Sequence, residues 1–308
     1  MRIVFFGTPG FAARSLSALL REGHDVVGVV TQPDRPHGRS RSTLVPPPVK
    51  LLAESAGLPV LQPERPSGDV FLASLRRLEP TLGVVVAYGH ILRPDVLAVP
   101  RSGMINVHAS LLPRLRGAAP IPWAIANGDA ETGVTIMQME AGLDSGPILH
   151  RLRTPIDIDD TAGTLTERLA DLGATALLET LPCLAAGAVR PEPQDEALAT
   201  YAPKIDRTTA RIDWENDAGT VARQIRAFDP APGAWTTLDG RELKLFGAHA
   251  VDDDSGDPGT VLLADGGLRV AAGRGAVEIA EVQPAGRRRI GVKEWVHGRG
   301  VAAGARFT

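Results

Sequence analysis

The sequence is poor in cysteine, in aromatic residues and in long apolar runs. Cys183 is its one cysteine, which excludes an internal disulfide and a cysteine-based zinc site. The apolar runs fall short of the roughly 18 residues that a membrane helix needs. A formal net charge of −3 gives no overall positive field for nucleic acid, so any such contact must come from local patches. A strand-like run begins at Arg2 with no leader before it, so we expect a cytoplasmic protein without membrane contact.

What remains has the composition of an ordinary globular protein. Hydrophobic residues make up 44% and charged residues 22% of 308 positions, which is enough to bury a core and argues against disorder. This length predicts about two domains.

The first part of the chain alternates between two patterns. Apolar, β-branched runs at 3–6, 26–30, 84–86, 104–107 and 134–139 are typical of strands buried on both faces. Helical patterns are found at 10–21, 48–56, 68–78, 119–127 and 164–184. Strands that alternate with helices predict an α/β fold with a doubly wound, Rossmann-like, largely parallel sheet.

The pattern changes after a polar, Pro-rich stretch near residue 190. One helical pattern at 217–228 is followed by short strand patterns at 242–250, 260–263, 268–271 and 277–282. Glycine and aspartate separate these strands, which indicates a small, OB-like β-barrel. We therefore predict an N-terminal catalytic domain at 1–189, a linker at 190–204 and a C-terminal domain at 205–308.

The turn after the first predicted strand is not a dinucleotide-binding fingerprint. Pro9 stands where that fingerprint needs a glycine, and the second strand is followed by Thr31 and Gln32 rather than an acidic residue. This argues against a nicotinamide cofactor, although a helix N-terminus remains a natural anion site.

Asn106, His108 and Asp144 are the candidate catalytic residues. Residues two apart on a strand share a face, and ligands of open parallel sheets bind beyond the strand carboxyl ends. We expect Asp144, between Gly142 and Gly146 in a loop after another strand, to meet the other two there. An amide that stabilises an oxyanion, an imidazole that moves protons and a carboxylate that orients the ring suit acyl transfer. From residue types alone, a structural histidine at the strand end is as good an interpretation.

Asn106-Val107-His108 with Ser110 to Pro113, and Leu143-Asp144 with Gly146 to Ile148, resemble the signature of folate-dependent formyltransferases. Further segments are similar to the member of that family that acts on initiator tRNA: FFGTPGFA at 5–12, TQPDRPHGR at 31–39, AYGHIL at 87–92, RGAAPI at 116–121, YAPKI at 201–205 and RIDW at 211–214. The resemblance covers essentially the whole chain.

The resemblance implies that 10-formyltetrahydrofolate is the co-substrate, that the α-amino group of initiator methionyl-tRNA is the acceptor, and that no metal takes part. Asn106 would hold the formyl oxygen, His108 would donate a hydrogen bond, and Asp144 would orient His108 and help to take up a proton. The folate would lie along Ala87, Tyr88, Gly89, Ile91, Leu92, Ser110, Leu111, Leu112, Pro113 and Glu140.

Local basic residues are the candidate tRNA contacts. Each cluster alone fits a solvated surface better, but their occurrence together with a small barrel favours contact with a phosphate backbone. These residues are Arg39 and Arg41 in the polar loop 32–47, Lys204, Arg207, Arg287, Arg288 and Arg289. The resemblance implies that the loop reaches the acceptor end of the tRNA.

Two other functions are open at this point. A sibling formyltransferase or formyl-folate hydrolase would act on glycinamide ribonucleotide, an amino sugar nucleotide or another small amine, and a non-catalytic protein would only bind tRNA. We expect a monomer.

Overall fold

The computed structural model describes residues 1–37, 43–253, 255–298 and 300–308. The strands are β1 (Ile3–Gly7), β2 (Val26–Val30), β3 (Arg35–His37), β4 (Thr43–Val45), β5 (Val60–Leu61), β6 (Leu82–Val86), β7 (Met104–His108), β8 (Arg116–Gly117), β9 (Glu131–Gln138), β10 (Ile148–Pro155), β11 (Tyr201–Ala202), β12 (Ala234–Leu238), β13 (Arg241–Val251), β14 (Val261–Leu263), β15 (Leu268–Ala271), β16 (Ala276–Pro284) and β17 (Ile290–Gly291).

The helices are α1 (Gly10–Arg21), α2 (Pro48–Ser55), α3 (Asp69–Arg77), α4 (Pro94–Leu97), α5 (Pro120–Ala126), α6 (Ala162–Ala185), α7 (Ala218–Ala227) and α8 (Val292–His297), with a 3₁₀ turn at Glu196–Leu198. Among these helices, none is both long enough and apolar enough to span a bilayer.

The chain forms two compact units. The first consists of residues 1–120, 132–154 and 166–202, and the second of residues 121–131, 155–165 and 203–308. The domain boundaries inferred from the sequence remain predictions.

A seven-stranded sheet in the order β10-β9-β7-β6-β1-β2-β5 is the centre of the first unit. Strands β7, β6, β1, β2 and β5 run parallel to one another. All five residues of β1 and of β6 are buried, as expected for strands covered on both faces. This sheet confirms the predicted α/β class.

The direction of one strand and both edge strands of this sheet, β10 and β5, were not predicted. Strand β9 runs antiparallel to β7, with Ile105 opposite Gln138 and His108 opposite Thr135. Strand β10 lies at the edge of the sheet, and most of its residues are only half-buried. An edge strand of mixed polarity lacks the apolar run by which the other strands were found.

The polar loop 32–47 has a regular stem. Strands β3 and β4 pair in an antiparallel hairpin. Residues 38–42, which include Arg39 and Arg41, lie outside the described residues. Below the hairpin, the carboxylate of Asp34 accepts hydrogen bonds from Gln62 Nε2 at 2.7 Å and Lys50 Nζ at 2.8 Å. Both bonds lower the pKa of Asp34, and the bond from Gln62 has the larger effect. Half-buried polar contacts therefore fix the base of the stem to the body of the first unit.

The second unit is a curled antiparallel sheet in the order β12-β13-β16-β15-β14, with β17 on β16. The buried face of α7, which includes Val221, Ala222 and Ile225, packs on β13. This arrangement confirms the predicted C-terminal β-structure.

Segment 304–308 connects the two edges of this sheet. The backbones of Thr308 and Thr237 exchange hydrogen bonds of 2.9 and 3.0 Å beside β12. On the other side, Val261 N donates to Ala305 O at 2.8 Å and Phe307 N donates to Gly259 O at 2.8 Å. Both edge strands thus have a partner, which removes the exposed edges that an open sheet would offer.

We predict that Phe307→Ala destabilises the second unit. Phe307 is 2% exposed, and its ring lies 5.9 Å from that of Trp214. Loss of a buried phenylalanine costs about 3–5 kcal/mol, and here it would also loosen the segment that joins the sheet edges. Thermal and urea unfolding measure the change, with the exposed Leu263→Ala as the control. A loss below about 1 kcal/mol, as for a surface substitution, would contradict this role.

Candidate active site

Strand β7 places Asn106 and His108 on one face of the sheet. Ile105 and Val107 point to the other face, where Val107 packs against Gly173 of α6 so closely that a β-carbon at Gly173 would lie 3.0 Å from Val107 Cγ1. Asn106 is half-buried and His108 is 6% exposed. The two predicted residues therefore lie on the face of β7 that α6 does not cover.

The ring of His108 is oriented by a backbone carbonyl on one side and a carboxylate on the other. Its Nε2 lies 3.0 Å from the carbonyl oxygen of Leu115. Because a carbonyl only accepts, Nε2 carries the hydrogen. On the opposite side, Nδ1 lies 3.7 Å from Oδ2 of Asp144, whose side chain is 13% exposed. This distance is too long for a direct hydrogen bond, so Nδ1 faces the carboxylate without bonding to it.

The loop after β7 folds back to present that carbonyl. Thr135 Oγ1 donates to Ser110 O at 2.7 Å and accepts from Leu112 N at 3.1 Å, which fixes the first turn. Ser110 Oγ then donates to Arg114 O at 2.6 Å, and the Leu112–Pro113 peptide bond is cis. Leu115 itself has a φ of 58°, an uncommon conformation for a branched side chain. Its carbonyl consequently points back toward His108.

The loop that carries Asp144 reaches His108 from an unexpected direction. Since β9 is antiparallel to β7, the loop starts beside Met104, whose carbonyl accepts from Met139 N at 2.8 Å, and not beside His108. Asp144 therefore does not follow a strand that ends at the same edge as β7, which is where the sequence led us to expect it. The loop turns back, and Asp144 Oδ2 accepts from Gly117 N at 2.8 Å.

Tight backbone turns permit this return. Asp144 has a φ of 49°. A β-carbon at Gly146 would collide with the carbonyl oxygen of Gln138, and one at Gly142 would collide with Oγ of Ser145. Backbone thus requires glycine at position 146, whereas the Ser145 hydroxyl near Gly142 could rotate away.

The predicted folate residues all lie in the first unit but differ in exposure. Ala87, Gly89 and Glu140 are exposed, Ile91 is 83% exposed, Leu111 and Pro113 are half-buried, and Tyr88, Leu92, Ser110 and Leu112 are buried. After β6 the chain turns through positive φ values of 44° at Ala87 and 83° at Gly89. The carbonyl of Tyr88 accepts hydrogen bonds from Thr8 Oγ1 at 3.1 Å and Gln32 Nε2 at 3.0 Å, so this turn is held rigidly.

Two buried polar atoms in the same segment have no hydrogen-bond partner among the described residues: the hydroxyl of Tyr88 and Nε2 of His90. Burial raises the pKa of Tyr88 to about 12. Unpaired buried polar atoms are costly, and a ligand or water that pairs them removes the cost.

The predicted tRNA residues of the second unit fall into two groups. Lys204, Arg287 and Arg288 are exposed, and Arg288 pairs with the exposed Glu294 at 3.1 Å. Arg207 is 69% exposed, pairs with Glu242 at 2.5 Å, and lies 4.4 Å above the ring of Trp235.

Arg289 differs from these residues, because its guanidinium is paired with two carboxylates of the protein itself. It donates to the carboxylate of Asp229 at 2.7 and 3.1 Å and to Glu281 at 2.7 Å, and lies 4.0 Å above the ring of Phe246. These contacts leave it less able to bind a phosphate than Arg287 or Arg288.

Sequence reasoning missed the side chain that lies behind the Asp144 loop. Gln194 Nε2 donates to the carbonyl oxygens of Asp144 at 2.8 Å and Gly146 at 2.7 Å. A glutamine in a polar, Pro-rich stretch carries no signal that would single it out.

Comparison with known proteins identifies the class. The formyl transferase family model matches residues 1–181, and the model of the formyl transferase C-terminal domain matches residues 204–300. The chain belongs to the formyl transferase family.

Individual relatives narrow the comparison. The chain is 50% identical over 303 residues to a methionyl-tRNA formyltransferase from Methylococcus capsulatus, with 98% of each chain covered. Among solved structures, HypX from Aquifex aeolicus in complex with tetrahydrofolic acid has a TM-score of 0.67 and 23% identity over 96% of this chain, which spans only 46% of HypX. An N-formyltransferase from Helicobacter canadensis with folinic acid and dTDP-3-aminofucose has a TM-score of 0.70 and 17% identity, over 92% of this chain and 99% of that one. At these low identities the two structures show a shared fold.

We predict that Gly146→Ala impairs formyl transfer. The added methyl group would meet the carbonyl of Gln138 and displace the loop that holds Asp144 beside His108. A displacement of about 1 Å at a reacting centre costs on the order of 10²-fold in rate. Formyl-transfer kinetics measure the effect. Gly267→Ala is the matched control, since a β-carbon there meets only Leu263 at an ordinary 3.8 Å. Equal activities in the two variants would show that the loop conformation is unimportant.

Proposed function

We propose that this chain transfers the formyl group of 10-formyltetrahydrofolate to the α-amino group of methionyl initiator tRNA. The identity of 50% over 98% of both chains to a methionyl-tRNA formyltransferase carries the proposal for the acceptor. The arrangement of His108 and Asp144, 3.7 Å apart on the uncovered side of β7, supports the chemistry. The reaction belongs to translation initiation, and we place it in the cytoplasm.

The residues present fit a folate. The segment after β6 offers exposed backbone at Ala87 and Gly89 and the exposed apolar side chain of Ile91, which suit the face of a flat heterocycle. The unpaired atoms of Tyr88 and His90 add hydrogen-bonding capacity to the same segment. When bound, the folate supplies an activated one-carbon acyl group.

Asn106 would stabilise charge on the formyl oxygen. It lies on the same face of β7 as His108 and is half-buried, so its amide is accessible from the site. As an amine adds to the formyl carbon, negative charge develops on that oxygen, and a fixed amide donor in a water-poor site stabilises it.

His108 and Asp144 would manage the proton. With Nε2–H donated to Leu115, the ring acts through Nδ1, which faces the carboxylate. When Nδ1 is protonated, Asp144 stabilises the positive ring and Nδ1–H can be donated to the formyl oxygen. The carboxylate also lies where it can accept the proton that the attacking amine loses. The amine nitrogen then keeps the formyl group, and the folate nitrogen leaves with a proton.

The net charge of the chain is −3, so the protein has no overall positive field for tRNA. Local groups of basic residues would therefore hold the tRNA. Lys204, Arg207, Arg287 and Arg288 present positive charge at the surface of the second unit. Phosphate contacts of this kind give affinity with little sequence selectivity. The assignment of Arg39 and Arg41 to the acceptor end rests on the sequence alone.

We predict that the purified protein formylates initiator methionyl-tRNA far faster than glycinamide ribonucleotide or a dTDP-amino sugar offered in parallel with 10-formyltetrahydrofolate. Asn106→Ala is the control for chemistry at this site, and the loss of its donor should raise the barrier by about 2.7–4 kcal/mol. Formylation of the amino sugar in preference to the tRNA would overturn the proposed acceptor. Release of free formate without an acceptor product would indicate a hydrolase.

Replacement of both Arg287 and Arg288 with alanine should weaken tRNA binding in a salt-dependent way. Each lost phosphate contact lowers the slope of log affinity against log salt by about one unit, so a change of about two is expected. Arg289→Ala, by contrast, leaves the 8%-exposed Asp229 carboxylate unpaired and should mainly lower stability, by about 1–3 kcal/mol. Binding across a salt series and thermal unfolding separate the two effects. An unchanged slope in the double variant would mean that these side chains are only solvated.

A further inference from the structure

The segment between the two family matches contains a side chain, that of Gln194, which holds the Asp144 loop through hydrogen bonds; we call it the bracket. Gln194 lies outside both matched ranges, which end at 181 and begin at 204. The nitrogen of its amide donates to two carbonyls of the loop, those of Asp144 and Gly146, at 2.8 and 2.7 Å. The oxygen accepts from Arg116 Nε at 3.1 Å and Nη2 at 2.8 Å. One side chain therefore uses both ends of its amide to connect Arg116 to the loop.

The partners fix the amide in one orientation. A guanidinium only donates and backbone carbonyls only accept, so rotating the amide by half a turn would place like groups together at every contact. The bracket is thus specific for glutamine. A glutamate of the same shape could still bind Arg116, but its second oxygen would face two carbonyl oxygens.

Arg116 is a rigid support for this bracket. Its side chain is 2% exposed, and its Nη1 and Nη2 atoms donate to the two carboxylate oxygens of Glu196, each at 2.8 Å. The bond to Glu196 is the largest cause that raises the pKa of Arg116, and the bond to Arg116 is the largest that lowers the pKa of Glu196. Planar, charged, bidentate pairs of this kind hold geometry well.

The Asp144 loop has an uncommon conformation that its own backbone alone would not hold. Asp144 has a φ of 49°, and its loop starts at the far end of β7 and must turn back to reach His108. Its carboxylate accepts from Gly117 N at 2.8 Å, and Gly117 directly follows Arg116 in β8. The bracket therefore holds the loop by its backbone, while the neighbour of Arg116 holds the carboxylate.

We propose that Gln194, supported by Arg116, is a positioning residue that sets the distance between Asp144 and His108. The proposal rests on the proposed formyl transfer at this site, but it holds for any amine acceptor. Gln194 touches no reacting atom and acts through the backbone of Asp144 and Gly146. In a merely structural role, Gln194 would only attach segment 192–202 to the rest of the first unit, and its loss would affect folding alone.

Gln194→Glu separates these two roles. The variant keeps a hydrogen-bond acceptor for Arg116 and so keeps segment 192–202 attached, but it loses both donors to the loop. Gln194→Met is a second variant of similar shape that pairs with neither partner. Glu192→Gln is the matched control in the same segment. The carboxylate of Glu192 accepts two hydrogen bonds from Arg151, each of 3.0 Å, and these bonds involve neither the Asp144 loop nor Arg116.

The measurements are kcat and KM for formyl transfer, the unfolding temperature, and the ¹⁵N signals of the His108 ring. Misplacement of Asp144 predicts a fall in kcat of about 10- to 100-fold in both Gln194 variants. KM for the folate and the tRNA should change little, and the His108 signals should shift. Gln194→Glu should stay folded at the assay temperature, as its unfolding curve will show. Glu192→Gln should keep kcat and the His108 signals.

A wild-type kcat in Gln194→Glu or Gln194→Met would overturn the proposal, as would unmoved His108 signals in both variants. A fall in kcat that Glu192→Gln shares equally would also overturn it, because attachment of the segment would then be the cause. If the unaltered protein formylates another amine rather than methionyl-tRNA, the proposed acceptor fails and the same kcat comparison is made with that amine. The two failures are therefore distinguishable.

Discussion

A single hydrogen bond, from Nε2 of His108 to the carbonyl of Leu115, determines how the candidate site is organised. Since that carbonyl only accepts, the bond assigns the hydrogen to Nε2 and turns Nδ1 toward Asp144, 3.7 Å away. If the ring were free to rotate, neither the carboxylate nor a reacting group would meet a defined nitrogen. The cis peptide at Leu112–Pro113, the positive φ of Leu115 and the buried hydroxyl of Ser110 are parts of the loop that delivers this carbonyl.

Support for the site comes from three separate parts of the sequence. Strand β7 provides His108, the segment from Leu115 to Gly117 provides a carbonyl and an amide hydrogen, and Gln194 holds the backbone of Asp144. Strand β8, which contains Gly117, pairs in parallel with β11, which belongs to the same segment 192–202 as Gln194. A shift of this segment would therefore reach the Asp144 carboxylate through these hydrogen bonds.

Local patterns predicted the fold class and the face of β7 that bears Asn106 and His108, because buried strands have a clear apolar signature and a period of two. Patterns of this kind do not report strand direction, so the antiparallel course of β9 and the return of the Asp144 loop were not foreseen. Gln194 was missed for a related reason. Its role depends on Arg116, 78 positions away, and long-range pairing of polar side chains leaves no periodic trace. The union of the two sheet edges by segment 304–308 is equally non-local.

The tautomer of the neutral His108 ring tests this account most directly. Histidine-selective ¹⁵N NMR, with His108 assigned by comparison with a His108→Gln variant, reports which ring nitrogen carries the hydrogen in the neutral form. The contact with the Leu115 carbonyl predicts that the neutral ring carries its hydrogen on Nε2 and none on Nδ1. A neutral ring with its hydrogen on Nδ1 would contradict the account, because Nε2 could not then donate to Leu115 and the orientation of the ring toward Asp144 would have no cause.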